Sequence, residues 1–200
     1  MSRTLYYAQR SPYARKVRIV LAEKNLSYTA QEVDLANRSA EFYQLSPIGK
    51  IPVFVDENGT TLWDSTLIVE YLDEVYPEPS FYPASIKLQC RQWEELGDAI
   101  ADNSIALWME KRKGEQASVG NTLRLQKIID RLLGVCEQKL VNYTYLMGDD
   151  WTIVDISVLS ALGYLSLRIS DDWKNQYPFL AQWFANLELR PSIQLTVPIA

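Results

Sequence analysis

The sequence predicts two units: an α/β half over residues 1–76 and an all-helical half over 86–200, joined by a linker at 77–85. Three observations carry this division. Short β-type runs alternate with helix-period stretches as far as Val75. Three prolines, Pro77, Pro79 and Pro83, then fall within seven residues, and proline ends regular elements because it lacks a backbone donor. Beyond them the apolar pattern is helical throughout.

In chain order, Thr4-Leu5-Tyr6-Tyr7 is a short β-type run and Ala8-Gln9-Arg10 a loop. Ser11-Pro12 marks a helix start, with a serine cap and a proline where the missing N–H would be unpaired anyway. Tyr13, Val17, Val20 and Leu21 form that helix's apolar stripe, with Arg15, Lys16 and Arg18 expected on its wet side. The helix fades at Lys24-Asn25. Tyr28 to Val33 reads as a second strand and Ser39 to Leu45 as a short helix. Pro52 stands at the mouth of a third run, Val53 to Val55, where a lost donor is tolerated. Glu57-Asn58-Gly59 is turn chemistry before Thr60 to Trp63, which makes a hairpin. Asp64-Ser65 opens an amphipathic helix with Leu67, Ile68, Tyr71, Leu72 and Val75 on one stripe. The order β-α-β-α-β-β-α, its first βαβ right-handed by rule, fits a thioredoxin-like half.

After the linker, Ile86, Cys90, Trp93, Leu96, Ile100, Leu107 and Trp108 keep a helical period to about Lys113-Gly114. A second helix runs through Leu123, Ile128, Leu132, Val135 and Leu140. Thr152 with Asp155 three residues on forms a capping-box pattern, and Trp151 and Ile156 take the positions of a hydrophobic staple. The last helix runs from about Pro178 through Leu187 and stops before Pro191.

Composition narrows the chemistry. A net charge of −5 argues against a nucleic-acid surface. MSRTLYYAQR has no apolar signal core, and the most apolar stretch, 151–167, contains Asp155 and is shorter than the roughly 20 residues a spanning helix needs. A cytoplasmic protein without membrane or nucleic-acid partners is expected. There is no histidine, which removes His-based triads and most zinc sites. The two cysteines, Cys90 and Cys136, lie in apolar helical patterns and read as core thiols. No metal is expected.

The stretch 46–65 combines a loop, a proline, an edge strand and a helix N-terminus, which together suit a short peptide. Ile51 can pair its backbone with an extended ligand if the Ile51–Pro52 bond is cis, an isomer found in only about 5–6% of X–Pro bonds. Ser65 offers a hydroxyl and a free N–H to a carboxylate, and Asp64 a negative charge to an ammonium. A ligand end carrying both charges, an α-amino acid, satisfies the pair.

This stretch closely resembles the glutathione S-transferases, whose thioredoxin-like domain carries a Gly-Lys-Val-Pro-like loop with cis-proline and an acidic-Ser pair opening its third helix. The matching residues are Gly49-Lys50-Ile51-Pro52 and Asp64-Ser65. Thr152-Ile153-Val154-Asp155 matches the box that caps a core helix of the family's C-terminal domain, so the resemblance spans both halves. It implies a thioredoxin-like glutathione-binding domain followed by the all-helical C-terminal domain of a serine-type bacterial member, theta-, zeta- or omega-like. It also implies a homodimer that joins glutathione, as co-substrate, to small hydrophobic electrophiles, a detoxification chemistry.

By the same resemblance Ser11 is the catalytic candidate. A free thiol titrates near 8.5, and bringing it to about 6.5 takes roughly 2.7 kcal/mol of preference for the anion. A helix N-terminus supplies roughly 0.3–1 kcal/mol, up to about 2, and a hydrogen bond to a charged group about 1.5–3. Together these suffice without a base. Tyr7 is the rival, since counted back from Arg18 it falls where tyrosine-type members carry their phenol. Lys50 and Arg38 are candidates for the glycyl carboxylate. Asp102 aligns with an acidic residue that in some classes reaches the ammonium of glutathione in the neighbouring subunit. Tyr7, Tyr13, Trp108 and Met109 are candidate walls of the second-substrate pocket. The zeta-type Ser-Ser-Cys signature is missing, since the chain reads Ser11-Pro12-Tyr13, which argues against maleylacetoacetate isomerase activity. Two alternatives stand beside the transferase reading: a glutathione-dependent isomerase, and a non-catalytic binding module on the same fold.

Overall fold

The structure, a computed structural model, describes residues 2–199. Its first half is a four-stranded sheet in the order β2-β1-β3-β4. Strand β1 (Thr4–Tyr7) alternates inward and outward, sending Leu5 and Tyr7 into the core. It pairs in parallel with β2 (Thr29–Glu32), Thr4 opposite Thr29, and antiparallel with β3 (Val53–Val55), Leu5 opposite Phe54. The hairpin puts β4 (Thr61–Trp63) at the edge, Phe54 opposite Leu62. Helices α1 (Pro12–Glu23) and α3 (Ser65–Val75) pack against each other. On Tyr6's side of the sheet lies α2 (Ala40–Leu45), whose Phe42 ring is 6.3 Å from that of Tyr6.

The junction between the halves is tied down by charge. Lys24, which ends α1, donates to Asp73 Oδ1 at 3.0 Å and to the linker carbonyls of Tyr76 and Pro79 at 2.7 and 2.6 Å. Asp73 in turn accepts from the backbone N–H groups of Phe81 and Tyr82. A buried ammonium and a buried carboxylate thus satisfy the polar backbone that a proline-rich crossing leaves unpaired.

The second half is built on α6 (Ile153–Arg168), buried from Ile153 to Leu165. That burial explains why it shows no polar stripe. The long α4 (Lys87–Lys111) lies against it at Gly97, where a Cβ would fall 2.8 Å from the backbone nitrogen of Val158. Helix α5 (Val119–Leu140) covers α4, and α7 (Trp173–Gln176), α8 (Pro178–Leu187) and α9 (Pro191–Gln194) complete the half. Asp155 closes the box at the head of α6, accepting from the N–H groups of Leu146 at 2.9 Å and Thr152 at 3.0 Å. No helix among the described residues is long and apolar enough to cross a membrane.

Two sequence expectations fail here. Arg15, Lys16 and Arg18 do not face water: they are 2%, 1% and 8% exposed. Helix α1 is covered on both sides, by the sheet-half core and by α6, so its cations find partners across the junction instead. Lys16 reaches Glu94 and Asp98 of α4, and Arg18 the carbonyl of Leu195. On α3 the core stripe is Ile68, Val69 and Leu72, while Leu67 and Val75 stand about half exposed. Both cysteines are buried core thiols, and burial pushes Cys90 up to about 11 and Cys136 up to about 12.

Candidate active site

Ser11 sits between β1 and α1 as the N-cap, with extended backbone angles and a side chain that accepts from Ala14 N–H at 3.2 Å. Its own N–H closes a turn onto Ala8 O at 3.0 Å. One lone pair of Oγ is therefore engaged and the hydroxyl proton stays available to an acceptor outside the helix. Pro12 has no N–H, and Ala14 N–H is satisfied by Ser11. The unpaired donor left in the first turn is Tyr13 N–H, beside the positive end of the α1 dipole. The arrangement suits an anion held at the Ser11 hydroxyl.

Tyr7 is placed differently. Its ring is buried under the Arg18 guanidinium, 5.1 Å from the centroid, and its hydroxyl accepts from Gln9 Nε2 at 3.3 Å. Gln9 in turn accepts from Arg18 Nη1 at 3.1 Å, so the Tyr7 phenol, Gln9 and Arg18 form one linked group.

The loop before β3 is held by one side chain. Ser46 Oγ accepts from Lys50 N–H at 3.2 Å and donates to Lys50 O at 2.9 Å, and Gly49 turns the chain with φ +66°. The Lys50 side chain is left exposed, and the Ile51–Pro52 bond that follows is cis. After β4, Asp64 caps α3 with φ +77°, a left-handed angle that costs a residue with a Cβ of order 1–3 kcal/mol. Its carboxylate accepts from Thr66 N–H at 3.0 Å and Leu67 N–H at 3.1 Å. Asp64 itself thus satisfies two of the first-turn donors. Ser65 is buried, and Asp64 is exposed.

The opposite wall comes from the helical half. Tyr13, two residues past Ser11, donates its hydroxyl to Asp102 of α4 in the same chain. Burial and that carboxylate push the Tyr13 phenol well above its ordinary range. Nearly two turns further along α4 is Trp108, whose ring lies under the Arg168 guanidinium at 5.1 Å. Tyr164 of α6 is buried, one turn before Arg168, and close enough to Arg10 and Arg168 to feel both charges. Met109 is half exposed. Arg10, Tyr164 and Arg168 escaped sequence reasoning. Tyr164 and Arg168 share the i, i+4 spacing of one helix face, but a wholly buried helix offers no pattern to mark that face.

Arg38 is apart from these groups. It lines a cavity of about 250 Å³ between β2 and α2, with Glu32, Asp34, Ser39 and Phe42. Its Nε is buried without a hydrogen-bond partner. Neither Ser11, Lys50 nor Ser65 lines that cavity.

Comparison with known proteins gives a consistent family. Residues 5–80 match the model of the glutathione S-transferase N-terminal domain, and 100–195 that of its C-terminal domain. The uncharacterised GST-like protein YibF of Escherichia coli is 33% identical over 192 residues, 94% of this chain and 95% of that protein. The crystal structure of a glutathione S-transferase from Methylobacillus flagellatus with glutathione bound superposes with a TM-score of 0.93 at 36% identity, covering 99% of this chain and 100% of that one. A stringent starvation protein A homolog of Coxiella burnetii is 32% identical over 154 residues, 76% of this chain and 70% of its own length.

Proposed function

The chain belongs to the glutathione S-transferase family and is a glutathione transferase, and we propose that Ser11 is the group that activates its thiol. One observation carries this reading. The Ser11 oxygen already accepts a helix N–H, so its own proton is free to be donated to a ligand sulfur, stabilising the thiolate rather than abstracting its proton. In a chain without histidine, the thiol proton leaves to solvent and the lowered pKa supplies the nucleophile.

The rest of the tripeptide is assigned by charge. Asp64 takes the γ-glutamyl ammonium, and Ser65, through its hydroxyl and N–H, the γ-glutamyl carboxylate. Ile51 pairs with the cysteinyl backbone, and Lys50, with Arg38 as second candidate, takes the glycyl carboxylate. The thiolate sulfur attacks an electrophilic carbon in the cleft lined by Tyr13 and Trp108. A carbon–sulfur bond forms as the leaving group departs with its electron pair. Glutathione is a cytosolic thiol, which supports a cytoplasmic location.

Assembly as a homodimer is supported by exposed apolar side chains on neighbouring elements. Trp63 on the edge strand, Leu67 on α3 and Leu88 on α4 are 38%, 50% and 78% exposed, and α3 and α4 are tied together by Lys87 and Glu70. The Asp102 Oδ2 is left by Tyr13 for the ammonium of glutathione in a neighbouring subunit.

Calorimetric titration with glutathione, run beside sedimentation on the same sample, tests the binding site and the assembly. One site per chain and a dimer mass are expected. Asp64→Asn keeps the cap and tolerates the left-handed angle, but loses the charge, so glutathione binding should weaken by about 1–3 kcal/mol with stability little changed. Unaltered affinity in that variant contradicts the γ-glutamyl assignment, and a monomer with full affinity contradicts the dimer.

A further inference from the structure

We propose that the second-substrate side of the cleft takes electrophiles that carry a carboxylate, gripped by Arg168 with Arg10 across the mouth. The inference rests on the transferase reading above and narrows its substrate class.

Arg168 ends α6 one turn after Tyr164, and its guanidinium lies over the Trp108 ring with Cζ 5.1 Å from the centroid. That contact restrains where the guanidinium sits, and a guanidinium fork binds a carboxylate through two parallel bonds. The Arg168 Nε is buried and has no hydrogen-bond partner, and no carboxylate pairs with the guanidinium among the described residues. Lys16 binds Glu94 and Asp98, Arg18 the Leu195 carbonyl, and Arg190 the Glu23 carboxylate. The Nε atoms of Arg3, Arg15 and Arg38 are likewise buried without a hydrogen-bond partner, but Arg3 pairs with Asp56, Arg15 reaches the Ile193 carbonyl at 3.5 Å and Arg38 lines its own cavity. Buried N–H groups in folded chains are nearly always paired. A positioned but acceptor-free fork beside the reacting centre is accounted for by an acceptor that arrives with the substrate.

Arg10 adds a second charge from the other side. It sits in the turn closed by Ser11 N–H onto Ala8 O, directly before the activating serine. Burial raises the Tyr164 phenol above its ordinary pKa while the charges of Arg168 and Arg10 draw it back, so both cations act on this side of the cleft. The Tyr164 hydroxyl is a third donor. The acids nearby are already engaged. Asp102 accepts from Tyr13, Asp98 from Lys16, and Asp34, the carboxylate near Arg10, from Ala36 N–H and the Asn37 amide. Tyr13 and Trp108 bring aromatic surface to this side of the cleft, so an aromatic or short unsaturated acid fits better than a bulky neutral hydrocarbon.

A matched pair of substrates tests this. In 4-chloro-3-nitrobenzoate and 4-chloro-3-nitrobenzamide the ring is the same and only the charge differs. In each the thiolate sulfur bonds to the chlorine-bearing carbon, the carbon–chlorine bond breaks and chloride leaves with its electron pair. With each rate divided by that of the uncatalysed reaction with glutathione, kcat/KM should favour the benzoate by about tenfold or more. Arg168→Gln should erase that preference and Arg10→Gln reduce it, with glutathione affinity and the benzamide rate kept. Calorimetry on the two products, S-(4-carboxy-2-nitrophenyl)glutathione and its carbamoyl analogue, should rank them in the same order without turnover. Equal handling of the pair by the wild type, with glutathione bound normally, overturns the inference and leaves the transferase reading intact. Failure to bind glutathione at all overturns both. If Arg168→Gln moves the titration of bound thiol but not the benzoate preference, the fork serves the thiolate and the inference is wrong. Should Arg168→Gln fail to fold, the wild-type preference and the Arg10→Gln variant still decide.

Discussion

Replacing Lys16 with methionine is expected to destabilise the protein by about 3–5 kcal/mol, read from the midpoint and slope of urea unfolding. The Lys16 ammonium is 1% exposed, donating to Glu94 Oε1 at 2.8 Å, to Asp98 Oδ2 at 2.8 Å and to Thr66 Oγ1 at 3.2 Å. Burial by itself would pull its pKa down, but Asp98 and Glu94 more than offset this and hold it above the ordinary lysine range. Tyr82 donates to Glu94, and Ser157 and Thr66 to Asp98. One cation thus balances two carboxylates at the contact of α1, α3, α4 and α6. Removing it leaves two acids facing each other in a site with little water. Adding Glu94→Gln and Asp98→Asn to Lys16→Met should recover part of the loss, because the uncompensated charge is what destabilises. Thr66 adjoins Ser65, so the single variant should also weaken glutathione binding. A loss below about 1 kcal/mol would contradict this account.

Asp155→Ala should cost a comparable amount, on the order of 3–6 kcal/mol, because it leaves the Leu146 N–H, the Thr152 N–H and the Thr152 hydroxyl without their acceptor in a fully buried place. Asp155→Asn, which retains a carbonyl oxygen, should cost less. Burial pushes the Asp155 carboxyl up to about 6, against the three donated bonds that draw it down. The folded state therefore holds this proton more tightly than the unfolded chain, whose aspartates titrate near 3.9. The stability linked to it is complete below about pH 4 and is lost as the pH rises through about 6. Wild-type stability, measured against Asp155→Asn, should fall between those values. A difference that stays flat or rises would show that the three hydrogen bonds outweigh desolvation.

What was legible beforehand was local. Ser11-Pro12, the hairpin around Asn58-Gly59 and the Thr152–Asp155 box are set by neighbours within a few residues, and each lies where expected. Lys16 shows where such reading stops. Its helix presents a good apolar stripe, and periodicity assigns the opposite face to water, yet that face meets Glu94, 78 residues away. Leu67 fails the other way, an apolar residue in phase with the stripe that the single chain leaves half exposed. The role proposed for Arg10 and Arg168 depends on the packing of α1 against α6, a juxtaposition that no spacing in the chain encodes.

The central claim is that the Ser11 hydroxyl holds the thiolate, and one titration tests it most directly: thiolate absorbance of bound glutathione against pH for the wild type, Ser11→Ala and Tyr7→Phe. Loss of a charge-assisted hydrogen bond of about 1.5–3 kcal/mol should raise the pKa of the bound thiol by roughly one to two units in Ser11→Ala. S-methylglutathione, which has no thiol to ionise, should bind that variant almost as it binds the wild type. Tyr7→Phe should leave the titration where it was, since that phenol lies under Arg18 and beside Gln9. A titration unmoved in Ser11→Ala and shifted in Tyr7→Phe would contradict the account and make the tyrosine the activator.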